Sequence, residues 1–352
     1  MTDQYSLEHL WLPFSANRDF KSSPRLMNKA EGMYYKKQDG TPVLDGTAGL
    51  WCCNAGHSNK KIVDAIHQQA AKLDYAPSFQ MGHPLGFEAA QKLLQIAPSN
   101  DFQYVFFTNS GSESVDTALI IALGYQQHLG NSEKKILIGR NRSYHGVGFG
   151  GISVGGLPYN KNHFSLLPNV AHICDTHNLK RNAFSKGQPD WGKKLADDLL
   201  RVIEKHGADQ IAAFITEPVA GSTGVLIPPK GYLERIRQIC TDHNILLIFD
   251  EVITGFGRLG DSFAAQHFNI EPDLITCAKG LTSGTVPMGA VIVKKEIYDA
   301  FQQGDQKVID LFHGYTYSAH PLASAAMIAA LDVYVNDGLF DHANTLSPYW
   351  EE

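Results

Sequence analysis

A chain of 352 residues, 43% hydrophobic and 19% charged, carries enough apolar material for a sizeable core, which excludes wholesale disorder. A formal net charge of −6 and a pI near 6.2 argue against a nucleic-acid-binding face, which needs lysine and arginine in excess. No apolar run approaches the roughly 20 residues of a membrane span, and the N-terminus lacks the basic and apolar regions of a signal peptide. Cys52, Cys53, Cys174, Cys240 and Cys277 are odd in number and include no Cys-x-x-Cys. They suggest neither a disulfide framework nor a zinc site, and a reducing cytoplasm is the expected compartment.

In chain order, Trp11 to Phe14 reads as an arm packing on something else. Gly32 to Asp45 predicts a hairpin with an Asp39-Gly40 turn, and Gly46 to Asn54 a loop of small residues around Trp51. Helices are expected over Asn59–Leu73 and Phe87–Ile96, then a strand at Tyr104–Phe107. That strand runs through Ser110-Gly111-Ser112-Glu113 into a helix with Val115, Ala118, Leu119 and Ala122 on one face, and Ser110 and Glu113 stand at capping-box spacing. Ile136–Ile138 is a strand, Gly146–Gly156 a glycine-rich loop, Leu195–Lys205 a helix, and Ile211–Ile215 a strand ending in Thr216-Glu217-Pro218. A helix over Gly231–His243 leads into Ile245–Phe249, whose unbroken apolar run suits a parallel strand buried on both faces. Leu274–Ala278 is another strand, Val286–Val293 one near the sheet edge, and Pro321–Val335 a long helix. Alternation of strands and helices from about 100 to 295 predicts a mostly parallel α/β sheet with right-handed crossovers.

Three of these strands deliver ionisable groups. Asp250 ends one, Lys279 follows another, and Glu217 ends a third. Ligands of open parallel sheets sit outside the carboxyl ends of the strands. Each carboxylate alone reads as a structural cap, but three such groups at one rim point to chemistry. An amine that can form a Schiff base and a carboxylate that can keep a ring nitrogen protonated are what pyridoxal phosphate needs. The Ser-Gly-Ser turn at 110–112 could receive a phosphate on the helix N-terminus, although taken alone it reads as an ordinary capped helix. Tyr144 could stack on a flat ring, although alone it reads as a packed tyrosine, and His145 reads as a hydrogen-bonded structural histidine. Two G-x-G-x-x-G matches, at Gly146 and Gly255, lack the strand-to-helix context of a dinucleotide site.

Assembled, these residues resemble a class III (ω-)aminotransferase of pyridoxal-phosphate fold type I, in the β-alanine–pyruvate or ω-amino acid–pyruvate branch. The resemblance runs from Leu12 to about Leu339. It is carried by Asp45 to Trp51, Thr108 to Glu113, Tyr144-His145-Gly146, Glu217-Pro218-Val219, Asp250 to Arg258, Ala278-Lys279-Gly280 and His313 to Ser318. It implies an N-terminal arm over 1–50, a large cofactor-binding α/β domain over 51–320, and the start of an incomplete C-terminal domain over 321–352. It implies that Lys279 holds pyridoxal 5′-phosphate and moves the proton, and that Asp250 pairs with the ring nitrogen. Val252 and Tyr144 would flank the ring, Gly111 and Ser112 would hold the phosphate, and Glu217 would support hydrogen bonding beneath it. Thr316 would reach the phosphate of a neighbouring subunit, making a homodimer or a dimer of dimers. Trp51, Phe14 and Phe79 would wall the pocket for a small amino donor and an oxo-acid acceptor, with no nucleic acid or membrane as partner. Other class III chemistry, decarboxylase or aminomutase, and an inactive fragment are the alternatives. The family's carboxylate-clamping arginine lies in a C-terminal region beyond this sequence, no arginine follows Arg258, and a fragment is expected.

Overall fold

The computed structural model describes residues 5–163, 165–177, 179–182 and 185–351. Near the N-terminus, β1 (Met27–Glu31), β2 (Tyr34–Lys37) and β3 (Pro42–Leu44) form an antiparallel sheet. The expected turn is there: Gly40 takes a positive φ of 86°, and Asp39 Oδ1 accepts from the Thr41 N–H at 2.9 Å. Trp11 and Phe14, in the preceding arm, are 88% and 81% exposed.

The centre is a seven-stranded sheet of β4 (Phe102–Thr108), β5 (Ile136–Arg140), β6 (Val170–Ile173), β7 (Ile211–Thr216), β8 (Leu246–Asp250), β9 (Leu274–Cys277) and β10 (Gly289–Lys294). Its order is β4-β10-β9-β8-β7-β5-β6. Every residue of β7, β8 and β9 is buried, which is why their sequences are apolar without alternation. Successive side chains serve opposite cores: Ile248 and Val291 join the layer under the Gly111–His128 helix, and Phe249 and Ile292 join the layer holding Tyr232, Ile236 and Leu331. The Pro321–Asn336 helix packs on the Lys60–Lys72 and Pro84–Gln95 helices. No single helix among the described residues is long and apolar enough to cross a membrane.

The strand at 289–294 lies near the edge as expected: β10 stands second in the sheet and runs antiparallel between β4 and β9. Three expectations need correction. Residues 146–156 are not all loop, because Phe149–Val154 is a short helix whose Gly151 N–H donates to Asp116 Oδ1 at 2.8 Å. Gly151 approaches so closely that a Cβ there would lie 2.1 Å from the His145 carbonyl oxygen, so the glycines serve tight packing. The helix expected over 195–205 is two, Gly192–Ala196 and Asp198–His206, with the tight turn between them at Asp197. Residues 46–54 contain a wound segment, Ala48–Trp51, in which Ala48, Leu50 and Trp51 all have positive φ. β6 carried no readable signal, being four residues long with a histidine inside it.

Candidate active site

Strand register decides which side chains meet. β7, β8 and β9 are adjacent and parallel, with Thr216 opposite Phe249 and Asp250 opposite Thr276. Glu217, Asp250 and Lys279 therefore leave the sheet on one rim. β4 leads into the Gly111–His128 helix and β5 into Tyr144 on that same rim. A cavity of about 150 Å³ there is lined by Gly111, Ser112, Tyr144, Asp250, Val252 and Lys279, with Glu217 and His145 also contributing. A larger cavity of about 740 Å³ opens at the opposite rim. Two of its cations are matched to acids, Arg237 to Asp273 at 2.9 Å and Lys294 to Glu271 at 2.7 Å, Lys134 donates to the Asn244 carbonyl at 2.6 Å, and the cavity holds none of these groups.

Asp250 is 5% exposed and fully engaged. Oδ2 lies 2.8 Å from His145 Nδ1, while Oδ1 accepts from the Val252 N–H at 3.1 Å and the Thr276 hydroxyl at 3.2 Å. A buried carboxylate with this many partners is held in one orientation. Glu217 is likewise fixed: its two oxygens accept from the Tyr144 and Gly221 N–H groups, each at 2.9 Å. Burial pushes its pKa up, partly opposed by His145 and by the buried guanidinium of Arg140.

Lys279 follows β9 in a left-handed conformation, φ 47°, which L residues adopt at a cost of about 1–3 kcal/mol when the surroundings demand it. Its Nζ lies 5.7 Å from the centre of the Trp51 ring. Burial lowers its pKa from the usual lysine value, and the negative charge of Asp250 partly restores it.

The phosphate side is built around close approach. Ser110 Oγ accepts from the Glu113 N–H at 3.2 Å, half of the expected capping box, while Glu113 Oε2 reaches one residue further back and accepts from the Asn109 N–H at 2.7 Å. Gly111 and Ser112 thus begin a long helix whose remaining free N–H groups face the rim. A Cβ on Gly111 would lie 2.9 Å from Val252 Cγ1, and one on Gly146, at φ 85°, would lie 2.6 Å from Ser112 Oγ. Ser112 Oγ accepts from the Val147 N–H at 3.1 Å, which leaves its own proton to donate elsewhere.

Of the residues singled out from sequence, the rim unites Lys279, Asp250, Glu217, Tyr144, Val252, Gly111 and Ser112, with Trp51 beside Lys279. Phe14, Phe79 and Thr316 do not line this cavity. Phe14 is 81% exposed, and Phe79, 58% exposed, lies against Gly314. Thr316 is also exposed, its carbonyl accepting from Tyr75 OH at 2.9 Å. His145 is the member that sequence reasoning set aside. Its place between a strand-end tyrosine and a left-handed glycine is visible in the sequence, but its contact with a residue 105 positions away is not.

The group that fits this rim carries an aldehyde, a ring nitrogen and a phosphate: it finds a half-buried amine, a fixed carboxylate and a helix N-terminus shaped by two glycines. Fold and rim together define the pyridoxal-phosphate-dependent transferases of fold type I. Residues 15–352 match the family described as aminotransferase class-III, and the chain belongs to it. An omega-aminotransferase of Caulobacter vibrioides is 58% identical, over 98% of this chain and 79% of that protein. A beta-alanine–pyruvate aminotransferase of Pseudomonas aeruginosa is 48% identical, over 100% of this chain and 79% of that protein. The solved structure of the omega transaminase from Pseudomonas jessenii in complex with PMP superposes with a TM-score of 0.91 at 33% identity, covering 97% of this chain and 76% of that one. The cofactor is pyridoxal 5′-phosphate.

Proposed function

We propose that this aminotransferase takes nitrogen from an ω-amino acid such as β-alanine, or from a related amine, and gives it to pyruvate, releasing an oxo acid or aldehyde and alanine. The observation that carries this reading is the convergence of Lys279 and Asp250 on one small cavity from adjacent strand ends. The substrate choice rests on the relatives named for β-alanine or ω-amino acids and pyruvate, at 48% and 46% identity.

Pyridoxal phosphate, when bound, supplies the carbonyl that accepts the nitrogen and a ring that takes up the electrons freed when a C–H bond breaks. The protein's part is to orient and to move protons. Lys279, whose pKa burial lowers, would hold the cofactor and then carry the proton from the substrate carbon. Asp250, fixed by His145, Thr276 and the Val252 N–H, keeps the ring nitrogen protonated. Val252 and Tyr144 hold the ring between them, Glu217 supports the hydrogen bonding beneath it, and Gly111 and Ser112 hold the phosphate. Trp51 walls the substrate side. Phe14 and Phe79, away from their own chain's cavity, would wall the same pocket only with a second subunit in place.

That second subunit is a copy of this chain. Trp11, Phe14, Phe87, Phe149 and Phe312 are each at least 64% exposed, an unusual apolar display that a partner would cover. Thr316, exposed and away from its own cavity, would then serve the partner's phosphate. The five free cysteines suit a cytoplasmic enzyme.

A donor panel with pyruvate as acceptor, scored by alanine formed, tests the reading. β-Alanine is expected to support turnover, and Lys279→Ala to reduce it at least about a thousandfold. Formation of carbon dioxide without alanine would replace transamination by decarboxylation.

A further inference from the structure

Arg258 stands close to Lys279 and is held there by a clamp. Its Nη2 donates to Asn54 Oδ1 at 2.9 Å, and Asn54 Nδ2 donates to the Phe256 carbonyl at 2.8 Å. Asn54 packs on Gly280, the residue after Lys279: a Cβ on Gly280 would lie 2.7 Å from Asn54 Nδ2. The guanidinium is therefore tied, through Asn54, to the backbone next to Lys279. In keeping with that placement, Arg258 disfavours the protonated form of Lys279, and both cations favour the charged form of the Cys52 thiol.

The clamp's partner is neutral, unlike those of three other arginines. Arg201, Arg235 and Arg237 each face an aspartate, at 2.6, 2.7 and 2.9 Å. Arg258 is anchored by one neutral amide oxygen through one nitrogen, and its side chain is exposed. A guanidinium presents five donors in a rigid fork that matches a carboxylate. Holding such a fork near the reacting amine with a neutral tether leaves its charge for a mobile anion.

We propose that Arg258 anchors the carboxylate of the amino donor, a few carbons from the nitrogen presented to Lys279, and so selects ω-amino acids over simple amines. This rests on the aminotransferase reading above and adds the residue that reads the donor's far end. Asn54 is the positioning residue, since it touches the guanidinium rather than the substrate.

Two measurements on the cofactor-loaded full chain test the anchor. In single-turnover donor half-reactions, Arg258→Ala should lower the apparent affinity for β-alanine relative to that for propylamine by at least tenfold, a charge-assisted contact being at stake. Arg258→Lys, keeping charge without the fork, should fall between. A parallel loss for both donors, or none for either, overturns the anchor. Calorimetry with propionate, which has the carboxylate but no amine, needs no turnover: binding at least tenfold weaker in Arg258→Ala supports the anchor, and equal binding overturns it. Failure of the unmodified protein to form alanine from any donor would instead refute the transamination reading, while the propionate titration still decides the anchor.

Discussion

Lys279 sits between two opposed influences. Burial favours its neutral form and the negative charge of Asp250 favours the ammonium, with burial the larger. Neutralising the carboxylate should therefore lower the lysine pKa further. In cofactor-free protein at pH 8, competitive acylation of Lys279 is expected to run faster in Asp250→Asn than in the unmodified chain. A slower rate would contradict the assigned electrostatics. The same substitution should cut turnover about 10²–10⁴-fold, because a neutral partner no longer holds the ring nitrogen protonated. Gly146 makes a second residue-scale case. With φ at 85° and only 2.6 Å from the position of its missing Cβ to Ser112 Oγ, Gly146→Ala must displace the serine or the loop. Cofactor affinity, followed by equilibrium dialysis, should fall at least about tenfold, as expected when a charge-assisted contact to phosphate is lost.

At the scale of elements, Glu251 ties the end of β8 to the short helix Ala264–His267. The fully buried carboxylate accepts from the Ala264 and Ala265 N–H groups at 2.6 and 2.8 Å and from the Thr254 hydroxyl at 2.8 Å. Desolvation nevertheless pushes its pKa up to about 7, from 4.5. A raised carboxyl pKa means the folded protein binds more protons than the unfolded chain between these values. Stability from this group is therefore highest below pH 4.5, declines as pH rises towards 7, and then levels off. Glu251→Gln should flatten that part of the melting-temperature profile, and an unchanged slope would show that the carboxyl does not titrate there.

The elements also show what a sequence can disclose. β7 and β8 were legible because burial on both faces leaves a local mark, an unbroken apolar run ended by a charge. Asp250 and Glu217 were legible because they stand at those ends, and Lys279 because it follows the similar run of β9. The antiparallel direction of β10 was not, since an antiparallel strand buried on both faces carries the same composition as its parallel neighbours. His145 was not legible for another reason: its role depends on the pairing of its ring with Asp250 across two strand ends, which no local pattern encodes.

For the whole molecule, the exposed aromatics set the expectation. Phe312, 85% exposed, lies four residues before Thr316. If a second copy covers this region, sedimentation should give about twice the 38.7 kDa chain mass. Phe312→Asp should shift the species towards a single chain and weaken cofactor retention in parallel. Retained mass with Phe312→Asp, or lost mass with full retention, would separate assembly from the site.

The antiparallel insertion of β10 has a temporal meaning. β4 is made early, yet its sheet partner emerges from the ribosome only when residues 289–294 have been synthesised. Until then a nascent chain exposes the unpaired backbone of Phe102–Thr108, a template for wrong pairing. Pulse-labelled hydrogen exchange during refolding should accordingly find the amides of β4 protected late and together with those of β10, after β7 and β8 have joined.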